Sequence, residues 1–527
     1  MAETAETPDR NNSGRRHTGL VVWTCALVGF LSVAFTKDDP GFTSDEPFNA
    51  LYAKTIVAGL LQDPSLIFER KKVDLLFGSA AEHPPLGRYF IGLVSYCFDA
   101  NFWNVNIFDL RAARWAAALL FAMLVGLVAR WTVRRSNWFG GIAAAVLCLT
   151  LPRLFGHGHF SALEMPLCVA YATAAFALGR WARTGSLPAA ALAGVAVGLA
   201  LLTKMQGVFL VPVIGLVAVL GGKRYWAGAL IALVAAAGTF FVGWPWLWYA
   251  PADRAMAYFG RGVARSPTLV TYFGTVYEDK AVPWTYPFVM AVVTLPAGHL
   301  LLVAWRLVET LRHLSRRDEL TVLAAALVPL AAFSLPGVPV YDGVRLFLMS
   351  FPLLLTLAGA SLGRWYARFP RTAPAVLLLS GAIGLAGIYR THPCELSYYG
   401  EWIGGLRGAS RLGMQLTYWG DSVTPDLLRR WSEAAGRRAA VRLVPTLYVS
   451  HPELYLTEEM ARRGQRVVAQ DESAEYTLVF RRTEYVPVEV LREADAAVPV
   501  AEVVREGVWL TRVYRNRNGA RSSEDER

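Results

Sequence analysis

From residue 18 to residue 390 the chain is a succession of apolar blocks separated by short basic interruptions, and no soluble fold accommodates that pattern. A helix needs ~20 apolar residues to cross a bilayer core. The block at 19–35 reaches that length only with its flanks, and further blocks lie at about 109–131, 138–155, 163–182, 188–203, 206–221, 226–249, 284–306, 320–335, 345–363 and 373–389. Several are short or carry Gly and Pro, which membrane helices tolerate better than soluble ones. The run at 86–99 is shorter still and fits an interfacial or re-entrant helix. The expectation is a polytopic α-helical membrane protein with about eleven transmembrane helices.

Composition agrees. Hydrophobic residues make up 54% of the 527, charged residues 18%, and mean hydropathy is +0.34. After residue 390 the character changes to a mixed, mostly soluble one. There 443–449, 476–482 and 508–514 read as strands and 452–463 as an amphipathic helix. The chain therefore divides into a disordered N-terminus at 1–16, a membrane domain at 17–390 with its first outer loop at 36–108, a small α/β domain at 391–518 and a disordered tail at 519–527. The net charge of +11 does not point to nucleic acid, because the arginines sit beside apolar runs and no aromatic-plus-basic reader motif accompanies them. Five cysteines (Cys25, Cys97, Cys148, Cys168 and Cys394) show no paired spacing, which argues against a disulfide framework or a zinc site. The first apolar run lacks a small-residue cleavage site and reads as an anchor.

Basic residues set the orientation. With the N-terminus cytoplasmic and 86–99 not crossing, the inner loops carry Arg130, Arg134 and Arg135; Arg180 and Arg183; Lys223 and Arg224; Arg306, Arg312, Arg316 and Arg317; and Arg364, Arg368 and Arg371. The outer loops at 156–162 and 336–344 carry no Lys or Arg, so the positive-inside rule is obeyed throughout. The soluble domain then lies outside an inner (plasma) membrane.

On this topology Asp45, Glu46, Glu82, His83, His157, His159, Glu164, Lys204, Asp342 and Arg345 share the outer face. Charges at membrane depth are costly and tend to mark function. The stretch 36–87 concentrates them. In Ser44-Asp45-Glu46-Pro47 the acids could simply begin a helix, with Pro47 in its first turn. A carboxylate there could equally act as general base on an acceptor hydroxyl or amine. Glu82 and His83, in E-H-P-P-L, could shape the site by hydrogen bonds. Together with His157 and His159 they could alternatively hold a divalent metal. No cofactor is otherwise expected. Glu164 precedes a span, where acids are common, and Lys204 could merely snorkel. Arg345 opens an apolar run on the outer side, against the charge rule, and suits bidentate phosphate recognition, with pairing to Asp342 as its competing role.

The first span followed by Asp45-Glu46, then E-H-P-P-L, the block R-L-F-G-H-G-H-F-S-A-L-E-M-P at 153–166, Thr203-Lys204 and Y-D-G-V-R-L-F-L at 341–348 resemble the C-type (GT-C) glycosyltransferases of family 39. These include protein O-mannosyltransferases and aminoarabinose transferases of lipid A, and the resemblance covers nearly all of 18–390. It implies the GT-C fold and a polyprenyl-phosphate-linked sugar as donor. It also implies an Asp base at Asp45, an acid of the second outer loop at Glu164, and phosphate-facing cations at Lys204 and Arg345. Two departures are Glu164, where many members carry Asp, and Leu346, where relatives often have His. The expected partners are that donor, membrane lipids and an extracytoplasmic acceptor that is a protein hydroxyl, lipid or glycan. Two other classes compete. A transporter or flippase should place its ionisable groups near the bilayer midplane, and an envelope scaffold should not depend on lipid-linked sugar.

Overall fold

Proline decides where the apolar blocks become helices. In the computed structural model, which describes residues 10–105, 109–264, 266–312, 316–446 and 452–516, every apolar block carries helix, but five are interrupted. The interruptions fall at or beside Pro152, Pro212, Pro245, Pro296 and the 3₁₀ turn Arg345–Phe347. A proline lacks the N–H that an interior helical position must donate.

Helix α1 (Arg10–Ala34) opens the fold and begins seven residues before the expected end of the disordered N-terminus; residues 1–9 lie outside the described ones. The first loop then folds into α2 (Glu46–Gln62), α3 (Arg70–Phe77) and α4 (Leu86–Phe98). Helix α4 has 13 residues, as the short run at 86–99 predicts. Next come α5 (Leu110–Arg135), α6 (Trp138–Leu149), α7 (Pro152–His157), α8 (Glu164–Thr184), α9 (Leu187–Leu201), α10 (Val211–Gly221) and α11 (Lys223–Val242). Side-chain caps set the starts of α5 and α6. Asp109 accepts from Arg111 N and Ala112 N, and Asn137 accepts from Gly140 N. Gly185, with φ of +65°, ends α8.

Helix α12 (Pro251–Ala264) and the antiparallel hairpin β1 (Leu269–Tyr272) and β2 (Thr275–Glu278) form a second elaboration between the helices. The helices resume with α13 (Tyr286–Val293), α14 (Ala297–Arg312), α15 (Arg317–Ala332), α16 (Ser350–Arg368) and α17 (Thr372–Thr391). Among the described residues, three helices are by length and composition suited to crossing a membrane: α5, α11 and α17. Helices α11 and α17 present apolar faces outward, with Leu230, Val234, Leu378 and Leu379 exposed. Such faces need a lipid solvent.

After α17 the chain passes over the first loop through α18 (Gly405–Arg411) and α19 (Pro425–Ala435) and builds one mixed sheet. Its strands are β3 (Ala440–Val444), β4 (Arg466–Val468), β5 (Tyr476–Phe480), β6 (Ala501–Arg505) and β7 (Val508–Arg515), in the order β4-β3-β5-β7-β6. The pairs β3–β4 and β3–β5 are parallel; β5–β7 and β6–β7 are antiparallel. Helix α20 (Glu458–Arg462), capped by Thr457, and α21 (Val488–Ala496) cover it. Strands β5 and β7 match the sequence expectation, while β3 overlaps the expected 443–449 only at Leu443 and Val444, because the strand ends before Pro445. The end of the expected strand 443–449 and the tail 519–527 lie outside the described residues. Two further strands were not legible: β4 has three residues, and β6 pairs with β7 through a register shift.

Glycine sets how closely the helices approach. A Cβ at Gly194 on α9 would lie 2.7 Å from Ala232 Cα on α11 and nearer still to its carbonyl oxygen. Gly238, on the same α11, has open space around it. Gly194→Ala is expected to destabilise by about 1–3 kcal/mol through overpacking, whereas Gly238→Ala should be neutral or mildly stabilising. Thermal unfolding in detergent checks the pair.

Candidate active site

The site begins from the loop after α1. Glu46 is fully buried, and its carboxylate takes Arg114 Nε and Nη2 at 2.9 and 2.8 Å, with Thr43 N and Ser161 N each at 2.9 Å. Arg114 also donates to the carbonyls of Lys37, Pro40 and Gly41. The loop is thereby pinned to α5 and to the segment before α8. Glu46 has no free oxygen and does not line the outer cavity, so it holds the loop and leaves its neighbour to face the solvent.

That neighbour is Asp45. It occupies the N-cap position of α2, yet its side chain does not cap the helix. Instead Oδ2 lies 3.2 Å from Arg345 Nη2, and the side chain remains 37% exposed. A cavity of about 370 Å³ opens in front of it, and Tyr52, Glu82, His83, Arg88, Tyr341 and Arg345 are among its walls.

Arg345 is the hub. Besides Asp45 it reaches Asp342 Oδ2 at 3.3 Å and Glu164 Oε1 at 3.8 Å. Its guanidinium lies 4.5 Å from the centroid of the Trp419 ring and 5.3 Å from that of Tyr341, a face-on arrangement that suits a cation. Asp342, at φ of +57°, bridges onward to Arg482 Nη2 at 3.0 Å. Both Arg345–Asp342 pairing and exposure to the cavity are therefore realised at once.

Glu164, the first residue of α8, is buried and accepts from Lys204 Nζ at 2.6 Å. Lys204 does not snorkel outward; it is itself buried and stands behind the cavity wall. Glu82 accepts from Arg88 Nη2 at 2.5 Å. Burial, reinforced by the charges of Lys204 and Arg88, holds the His83 imidazole well below its usual pKa, so the ring is neutral. His157 is buried beside Trp419, with ring centroids 5.5 Å apart, and neither ring nitrogen has a hydrogen-bond partner. Burial pushes it down to about 3.

His159 belongs elsewhere. Its Nε2 meets Thr36 Oγ1 at 2.8 Å and Nδ1 meets the Phe155 carbonyl. Glu82 and His83 thus share the cavity wall, while His157 and His159 lie outside its lining and in different contacts from one another. Among the described residues no group of three or more His, Cys, Asp or Glu side chains is placed to hold a metal ion.

Four contributors were not singled out from the sequence: Arg88, Arg114 and the C-terminal pair Trp419 and Arg482. Arg114 and Arg88 carried a readable signal, since each is a charge inside an apolar run. Trp419 and Arg482 carried none. They meet the site only because the C-terminal domain docks on the loop, where Gly41 N donates to Asp421 O at 2.8 Å and Ser44 N to Trp419 O at 3.0 Å.

Comparison with known proteins agrees with this architecture. Residues 79–256 match the family model described as dolichyl-phosphate-mannose-protein mannosyltransferase. That stretch includes Glu82, His83, Glu164 and Lys204 but not Asp45 or Arg345. The fold is similar to that of ArnT from Cupriavidus metallidurans in the apo state, with a TM-score of 0.50 at 16% identity over 94% of this chain and 97% of that one. Weaker likenesses are to the Archaeoglobus fulgidus oligosaccharyltransferase (TM-score 0.42, 13% identity, 84% of this chain and 60% of that one) and to the protein O-mannosyltransferase Pmt1-Pmt2 complex of S. cerevisiae (0.34, 16%, 51% and 39%). No curated protein matches by sequence. The fold is the helical GT-C fold with a small C-terminal sheet. The family model covers about a third of the chain, and the likeness to the solved structure shows the fold.

One titratable contact fastens the loop to the end of α17. His392 lies 3.0 Å from Asp39 Oδ2 and 2.6 Å from Glu395 Oε1. Burial opposes its charge, but the Glu395 and Asp39 carboxylates outweigh it and raise the pKa above 6.5. Its stabilisation is fully present below the unfolded value and is lost as pH rises through the raised one. Thermal stability should therefore fall as pH increases from about 6.5, and His392→Gln should flatten that slope.

Proposed function

We propose that the protein transfers a sugar from a polyprenyl-phosphate-linked donor to an extracytoplasmic acceptor in a single inverting displacement, with Asp45 as general base. The observation that carries this reading is the contrast among the carboxylates around Arg345. Glu164 and Asp342 are buried and committed to Lys204 and Arg482; Asp342 also borders the cavity, but its side chain is 7% exposed against 37% for Asp45, the most accessible of the three.

The chemistry follows from that contrast. The donor phosphate enters the cavity and takes the guanidinium of Arg345, for which its planar donors are matched. Asp45 loses its ion pair and becomes available to the acceptor. As the acceptor oxygen attacks the anomeric carbon, its proton passes to Asp45 and the bond from that carbon to the phosphate oxygen breaks. Polyprenyl phosphate departs as an anion, so it needs electrostatic stabilisation rather than a proton. Arg345 supplies that at contact, and Lys204 adds positive charge from behind Glu164. Arg88, Glu82 and neutral His83 shape the opposite wall. The acceptor is a protein hydroxyl, a lipid or a glycan.

Two neighbouring acids give a sharp test. Asp45→Asn should lower turnover by about 10²–10⁴-fold, the usual contribution of a general base, with unfolding unchanged. Glu46→Ala should instead destabilise by about 3–5 kcal/mol, because it leaves Arg114 buried without its anion. Transfer or release of sugar from a panel of polyprenyl-phosphate sugars reads activity, and thermal unfolding reads stability. Full activity in Asp45→Asn would remove the base assignment; no reaction with any donor would favour a scaffold.

The same reading places the eleven helical blocks across an inner membrane, with the N-terminus cytoplasmic and the C-terminal domain outside. Asp471→Cys, in a Cys97→Ser background, should then label with a membrane-impermeant maleimide from the outer side of intact spheroplasts. Labelling only after lysis would invert the topology.

A further inference from the structure

At the end of the helical bundle remote from the cavity, four arginines pair with carboxylates. Arg135 pairs with Asp318 at 2.6 Å, Arg306 with Glu319 at 2.6 Å, Arg316 with Glu319 at 3.1 Å and Arg364 with Glu309 at 3.0 Å. Arg130, Arg134, Arg180 and Arg183 differ. All four are exposed, and among the described residues none has an ion-pair or hydrogen-bond partner.

They are also not scattered. Arg130 and Arg134 sit one turn apart near the end of α5, and Arg180 and Arg183 near the end of α8. All four line a trough of about 570 Å³ between these helices. Arg130 and Arg134, with Leu127 and Thr173, are shared with a larger groove of about 1100 Å³ between α1, α5 and α8. That groove is walled by apolar side chains, including Val22, Trp23, Ala122 and Met123. The one carboxylate at the trough, Asp318, is already bound to Arg135.

Orienting a helix requires positive charge at this end, and the paired arginines supply part of it. Orientation does not require four unneutralised guanidinium groups around one trough that continues into an apolar groove. A headgroup carrying phosphate at the arginines and an acyl chain along the groove would satisfy both halves together. We propose that this is a binding site for an anionic glycerophospholipid. It is separate from the transferase cavity: Glu164 and Arg183 lie at opposite ends of α8, a separation of roughly 28 Å at the helical rise. The inference rests only on the chain being embedded in a bilayer, not on the sugar-transfer reading.

The test uses the purified full chain in detergent, titrated with phosphatidylglycerol, with phosphatidylcholine of the same acyl chains, or with inorganic phosphate, and read by native mass spectrometry. Phosphatidylglycerol should be retained and phosphatidylcholine should not. Arg130→Gln/Arg134→Gln should weaken retention roughly tenfold or more, at about fivefold per guanidinium. Arg368→Gln/Arg371→Gln removes two arginines that line neither groove and should leave retention unchanged. Met123→Trp, which fills the apolar half without touching charge, should also weaken it. Equal retention of the two lipids, displacement by inorganic phosphate alone, or unaltered binding in both groove variants would overturn the proposal. Should the double arginine variant fail to fold, Met123→Trp and the lipid comparison on the unaltered chain decide it.

Discussion

The buried contact between Glu46 and Arg114 is the constraint on which the outer end of the molecule depends. One carboxylate gathers a guanidinium from α5, a backbone amide of its own loop and a backbone amide from the segment before α8. The same guanidinium closes three carbonyls of the loop. A buried pair of this kind is kept by complete hydrogen bonding rather than by Coulomb attraction alone, since desolvation of both charges must be offset. Its consequence is geometric. With Glu46 turned inward, Asp45 is turned outward at the start of α2, where a helix terminus limits its freedom.

From there the site is a balanced network. Asp45, Asp342 and Glu164 surround Arg345, while Arg482 and Lys204 neutralise the two buried acids from behind. Such a network is costly to break, because removal of any buried member strands its partner. The exception is the Asp45–Arg345 contact at the cavity, where the carboxylate is the most exposed of the three and, among the described residues, has no second cation behind it. The C-terminal domain takes part in this arrangement through Trp419 and Arg482, so it is a wall of the site as well as a cover for the loop.

Much of this was written into local patterns. Period and length of the apolar blocks placed the helices, and prolines inside those blocks marked the breaks at Pro152, Pro212, Pro245 and Pro296. The short run at 86–99 gave a short helix for the reason its length implied. In the C-terminal domain β5 and β7 were legible because each is a run of five or more β-formers, while three-residue β4 falls below any periodic signal. Asp45, Glu164, Lys204 and Arg345 stood out as charges in an apolar context, and the structure brings all four to one region. His159 stood out equally and lies elsewhere, bonded to Thr36.

What the sequence alone determined was the helical, membrane-adapted body, its charge asymmetry and the chemical types available at one face. It could not assign adjacent acids their roles, because Asp45 and Glu46 differ by one position on a helix start and point about 100° apart once α2 forms. Nor could it connect Arg345 to Trp419 or Asp342 to Arg482, which are far apart in the chain and meet only when the C-terminal domain docks on the loop. Tertiary packing made those choices: it buried one acid among donors and left the other open to the cavity beside the guanidinium.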